Sequence, residues 1–182
     1  MIVIICLLVI IVIVAGIFAW YISASNNIKK ADLKVAEALS GIDVALTKRY
    51  DVLTKMLDTV KGYQKHEVET LTSLVQLRKG MSMQERNDAN RNMDKVSSEI
   101  NLLAENYPEL KSSNNFVELQ KGIIDVEEHL QAARRLYNAN VTAYNDLIVT
   151  FPSSIVANGM GAARKNYFEA EPQKRQDVQM NF

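Results

Sequence analysis

From Met1 to Ile22 the chain is apolar and carries no charged side chain, whereas beyond Asn26 the apolar residues thin to every third or fourth position. These two regimes predict two kinds of helix. The first run, at ~1.5 Å per residue, is about 30 Å long, the thickness of a bilayer's hydrocarbon core. Its Ile, Val and Leu side chains leave no polar stripe for water, and a single helix in lipid satisfies every backbone N–H and C=O internally. In the second regime Leu39, Ile42, Leu46, Leu53, Met56, Val60, Leu71, Leu74 and Leu77 mark one face with near-heptad spacing. With no proline between Asn26 and Lys79, this predicts one long helix. It would end at Gly80, a suitable left-handed residue, with Arg78 and Lys79 opposing the negative end of the helix dipole. Arg49, Tyr63 and Glu67 interrupt the seam and are expected to snorkel or to sit where the helices part. Gly41 and Gly62, each costing about 1 kcal/mol relative to Ala, mark a bend or a close helix contact.

Ser82 with Glu85 three residues on has the spacing of a capping box and opens a second helix. Met93, Val96, Ile100, Leu103 and Tyr107 form its apolar side, and Pro108 ends it. Glu85, Arg86, Asp88, Arg91, Asn92 and Lys95 form its solvated face. After a short polar turn from Pro108 to Asn115, Asn115 and Glu118 signal a third helix. Phe116, Leu119, Ile123, Val126, Leu130, Ala133, Tyr137, Val141, Tyr144, Ile148 and Phe151 keep its rhythm until Pro152. Single apolar stripes joined by short turns are buried against one another. The expected fold is therefore all-α: an N-terminal transmembrane helix, then an antiparallel up-and-down bundle of three long helices plus a short C-terminal segment. The divisions are an anchor at 1–22, a basic juxtamembrane segment at 23–30, the bundle at 31–152, and a turn and extended tail at 153–182. Within the tail Ser153–Ala157 suits one more turn, and Asn158-Gly-Met-Gly161 loosens the chain. Tyr167, Phe168, Val178, Met180 and Phe182 are expected either to pack back on the bundle or to stay mobile.

Charge sets the expected orientation. Lys29, Lys30 and Lys34 follow the apolar run and no Lys or Arg precedes it, which puts the body in the cytoplasm and Met1 outside. Trp20 and Tyr21 stand where aromatic rings favour the headgroup level. A cleaved secretory leader is the competing reading, but leaders carry a basic start and a shorter apolar core of roughly 7–15 residues. The 21 acidic and 21 basic residues balance, which argues against a nucleic-acid partner. Cys6, the single cysteine, lies in the apolar run and reads as a small hydrophobe, so the body has no disulfide framework and no thiolate zinc site.

Four blocks in order carry a family resemblance: Ile42-Asp-Val-Ala-Leu-Thr-Lys-Arg-Tyr50-Asp-Val-Leu53, Val60-Lys-Gly-Tyr-Gln-Lys-His-Glu67, Ala104-Glu-Asn-Tyr-Pro-Glu-Leu110 and the stretch from Glu128 to Asn145. With the Tyr167-Phe168-Glu-Ala and Val178–Phe182 ending, they resemble the LemA family over nearly the whole chain. The resemblance implies a bacterial-type, single-pass membrane protein with a helical bundle and no established enzymatic activity. The chain departs from the family pattern at Leu39, where tryptophan is common, and at Thr54, where proline is common. The absent proline favours an unbroken first helix.

The residues themselves offer little chemistry. A di-metal bundle site needs Glu-x-x-His on two helices, yet Tyr63 stands three before His66 and Val126 three before His129. Asp125 and His129, one turn apart, read as a surface contact, as do His66 and Thr70. Gly159-Met-Gly161-Ala-Ala-Arg164 matches two glycines of a dinucleotide fingerprint without a preceding strand and reads as a linker. Phosphate-loop and nucleophile-elbow motifs are missing. Tyr50, Tyr63, Tyr107, Tyr137 and Tyr144 lie on or beside the seams and are expected in the core. Arg134 and Arg135 have Glu127, Glu128 and Gln131 within a turn, the pattern of an ion-paired face. The expectation is a non-enzymatic scaffolding or interaction module at the membrane. It has no catalytic, cofactor-binding or metal-ligating residues and no small-molecule substrate. Its partners are membrane lipid and either another protein or a second copy of itself. An exported soluble protein and a helical metalloenzyme are the alternatives.

Overall fold

The computed structural model describes residues 1–62, 71, 77 and 80–168, and these form helices with no strand among them. They are α1 (Ile2–Val60), α2 (Met83–Asn106), α3 (Pro108–Lys111), α4 (Asn114–Val149) and α5 (Ser153–Gly159). The chain divides into two compact units. One holds Met1–Ala38 with Asn138–Asn166, the other Leu39–Tyr137 with Tyr167–Phe182.

The apolar run and the following seam belong to one helix, α1, which continues unbroken through Thr54, whose hydroxyl donates to the Tyr50 carbonyl at 2.9 Å. Its end corrects the sequence reading. The helix stops at Val60, where Lys61 and Gly62 form a turn, and not at Gly80. The seam already failed there: Tyr63 and Glu67 take its next positions, and glycine's conformational freedom weakens a helix at the same place. Leu74, Tyr63, Glu67 and the tail residues Val178, Met180 and Phe182 lie outside the described residues. Gly80 does take a left-handed conformation, φ +76°, immediately before α2.

In the first unit α1 contributes Ala24, Ile28, Val35 and Ala38 to the core, against Val141, Tyr144 and Ile148 of α4 and Val156 and Ala157 of α5. Asn140 Nδ2 donates to the Lys34 carbonyl at 3.3 Å. Beyond α5 the chain is tied back to α4 by a reciprocal pair: Lys165 N–H donates to Asn145 Oδ1 at 2.9 Å, and Asn145 Nδ2 donates to the Lys165 carbonyl at 3.0 Å. Lys165 also pairs with Asp32 and lies over the Tyr144 ring. From Ile2 to Ile22 the side chains of α1 are uncovered.

In the second unit Ile42, Leu46, Leu53, Met56, Leu57 and Val60 of α1 are buried with Met93, Val96 and Ile100 of α2 and Phe116, Ile123, Val126, Leu130 and Tyr137 of α4. The pairings fix direction. Asp43 meets Arg86, and Arg49 meets Asn90 and Asp94, so α1 and α2 run the same way. Arg49 also meets Glu127, and Val52 faces Gly122, so α4 runs opposite to α1. Asn101 accepts from Gln120, which makes α2 and α4 antiparallel too. Strict up-and-down alternation of three helices is thereby corrected. Gly80 and Met81, just before α2, line the same cleft as Asp43 and Thr47 of α1.

Local signals explain the ends. The Ser82–Glu85 capping box is present in both directions, at 3.3 Å and 2.7 Å. The start of α4 is capped by Ser113, whose Oγ accepts from Phe116 N–H at 3.3 Å, and not by Asn115. The polar turn before it contains the single-turn helix α3, which begins with Pro108 and buries Leu110. Phe151 does not continue the α4 seam: the helix has ended at Val149, and the ring is 77% exposed.

Candidate functional site

The most concentrated polar chemistry among the described residues is a buried centre where α1, α2 and α4 meet. Arg49 occupies a seam position between Leu46 and Leu53, so the helix period turns it inward, and it is 2% exposed. It does not snorkel, because acceptors are built around it. Its Nη1 donates to Asn90 Oδ1 at 2.7 Å, and its Nη2 donates to Asp94 and, at 3.0 Å, to Glu127 Oε1. Asn90 then donates its own Nδ2 to Asp94 Oδ2 at 3.1 Å, which orients the carboxylate. Arg49 Nε is buried with no hydrogen-bond partner among the described residues.

Arg86 is a second buried arginine and corrects the solvated face assigned to it. Its Nε and Nη2 donate to the two oxygens of Asp43 at 2.6 and 2.8 Å, and Nη1 donates to the Met81 carbonyl. This fork holds its pKa above the ordinary arginine value, chiefly through the hydrogen bond to Asp43 and against the opposing effect of burial. Asn87 and Asn90 are buried beside it. The apolar pattern carried a signal for Arg49, an interruption of its seam. It gave none for Asp94 or Asn90, whose roles depend on which helices pack together.

Next to these ion pairs lies an open cleft of about 400 Å³ lined by Asp43, Leu46, Thr47, Tyr50, Asp51, Leu77, Gly80 and Met81. Asp43 is occupied by Arg86, so hydrogen bonding through Thr47, Tyr50 and Asp51 is what the walls offer. Such a lining orients polar groups and supplies no nucleophile paired with a base.

The other sequence candidates do not converge on this centre. His129 Nδ1 lies 2.7 Å from the Asp125 carbonyl in its own preceding turn, and both side chains are well exposed. His66 lies outside the described residues. No cluster of three metal-ligating side chains occurs among the described residues. Gly159-Met-Gly161 forms the end of α5 and the turn after it. Glu127, expected to pair along its own helix, instead binds Arg49, and Arg134 stacks on Phe168 with 4.8 Å to the ring centroid. Tyr137 and Tyr144 are core residues, and Tyr50 and Tyr107 are half-buried. Phe168 is buried, while Tyr167 is exposed.

Comparison with known proteins identifies the family. The LemA family model matches residues 38–182. Protein LemA of Metamycoplasma hominis is 30% identical over 169 residues, covering 90% of this chain and 77% of that one. Magnetosome protein MamQ of Magnetospirillum gryphiswaldense is 27% identical over 70 residues, covering 38% of this chain and 26% of its own length. The shared stretch takes in the seams, both buried arginines and their acceptors, and the chain belongs to the LemA family.

Proposed function

We propose that this chain is a single-pass membrane protein anchored by residues 1–22, and that its helical part is a scaffolding or interaction module at the cytoplasmic face without a catalytic step. The observation that carries the reading is the bare apolar run of α1. The stretch that could cross a membrane has none of its surface buried in the protein, although the same helix is packed from Ala24 onward. A contiguous apolar surface of this size calls for lipid or another protein, and its length suits a bilayer. Lys29 and Lys30 are exposed just beyond it, which supports a cytoplasmic body. They also favour anionic headgroups at about 1 kcal/mol each. The scaffolding role is supported by how the polar residues are used: Arg49, Arg86, Asp43, Asp94 and Glu127 hold helices to one another.

Photo-cross-linking of the full chain in intact membranes tests the role. A reproducible adduct with one protein or with a second copy is expected. No adduct, together with turnover of a substrate by the purified full chain, contradicts it. Protease added to sealed vesicles tests the side. The body is expected to be digested only when the cytoplasmic face is accessible.

A further inference from the structure

We infer that the elbow joining α4 to α5 rests in the membrane interface, so that the chain touches lipid at a second place through Phe151 and Ile155. The inference rests on the anchored reading above and concerns only the first unit.

The placement follows from the contacts. Asn140 of α4 meets Lys34 of α1. From there α4 has nine residues left to Val149, and α1 has nine back to Ser25, roughly 13 Å in each case. The last residue of α5 and its successor come to the same level: Gly159 faces the Tyr21 hydroxyl, and Ser25 Oγ meets Met160 Sδ at 3.3 Å. The elbow therefore stands where the apolar run ends, at the level that Trp20 and Tyr21 mark as the headgroup region.

The exposed residues there are the wrong ones for water. Val156 and Ala157 of α5 are buried, but Phe151 is 77% exposed, Ile155 60% and Val149 47%. From Leu147 to Ala163 there is no charged side chain, and α1 has none before Lys29. Two uncharged stretches thus lie side by side, bordered by the bases Lys29, Lys30 and Arg164 and by one acid, Asp146. An apolar edge with a mostly basic margin, continuous with a spanning segment, fits a phospholipid surface.

The single tryptophan makes the test direct. The full chain is reconstituted in phosphatidylcholine–phosphatidylglycerol vesicles containing lipids brominated at shallow acyl positions. Three forms are compared: the native chain, Trp20→Phe with Phe151→Trp, and Trp20→Phe with Leu33→Trp. Leu33 is 70% exposed and eleven residues beyond Ile22 on α1, about 16 Å further along. Bromolipid is expected to quench the native chain and the position-151 reporter, with a blue-shifted peak for the latter, and to leave the position-33 reporter bright. If position 151 behaves like position 33 while Trp20 is quenched, the elbow contact is overturned and the anchor stands. A blue-shifted reporter at 151 that ignores bromolipid means a protein, such as a second copy, covers the elbow, and also overturns it. If no form is quenched, anchor and elbow fall together.

Discussion

Taking a guanidinium out of water costs roughly several kcal/mol unless its N–H groups meet acceptors, and Arg49 meets Asn90, Asp94 and Glu127. Asp94 and Glu127 keep part of their surface in water and can rehydrate, so Arg49→Met should cost about 2–3 kcal/mol. Arg49→Lys should cost about 1.5 kcal/mol, because an ammonium cannot fork to acceptors on two helices. Denaturant unfolding in mild detergent measures both, and a neutral Arg49→Met would contradict the proposed role of this centre. Asp94→Asn combined with Arg49→Met should destabilise less than the sum of the two single changes. Arg86 behaves differently with pH. Its pKa is raised on folding, so from neutral pH up to the ordinary arginine value its contribution is complete, and it is lost on the alkaline side only as pH climbs through the raised one. The stability lost in Arg86→Ala should therefore be the same at neutral and mildly alkaline pH, and a loss that vanishes on mild alkalinisation contradicts the pairing. At this scale the sequence was half legible. Arg49 announced itself by breaking a row of aliphatics, but its acceptors lie 41 to 78 positions away, and nothing local distinguishes Asp94 from the exposed acids around it.

Helix boundaries were readable wherever a local group satisfies a free N–H. Ser82 and Glu85 make their box as their spacing requires. At α4 the cap is Ser113, two residues before the Asn115 that the spacing indicated, because its hydroxyl accepts from the Phe116 N–H. Ser113→Ala should therefore cost about 1 kcal/mol, while Asn115→Ala stays within about 0.5 kcal/mol; equal losses would show that the cap is misplaced. Gly122 offers an opposite case. A Cβ there would meet Val52 Cγ1 at 3.7 Å, an ordinary contact. Gly122→Ala should raise stability by about 0.5–1 kcal/mol through helix propensity alone, and a fall in the unfolding midpoint would mean that α1 and α4 lie closer than described. The periodicity of α4 was fully visible up to Ile148. The end of α1 was not, because an unbroken absence of proline hides a turn made by Lys61 and Gly62. Nor was the parallel pairing of α2 with α1, which depends on contacts such as Asp43 with Arg86 and Arg49 with Asn90 and not on any local signal.

For the whole molecule, the apolar run and the packed portion belong to a single helix, and the family match begins at residue 38 within it. Membership of the LemA family and a long apolar helix fit a membrane-anchored helical protein. The alternative is a leader removed on export. Alkaline carbonate washing of membranes from cells making the native chain, followed by sizing on a gel, separates the two forms most directly. The account predicts that the polypeptide stays in the membrane pellet at its full mass. Release into the supernatant, in a form shortened by the residues up to about Ile22, would contradict it.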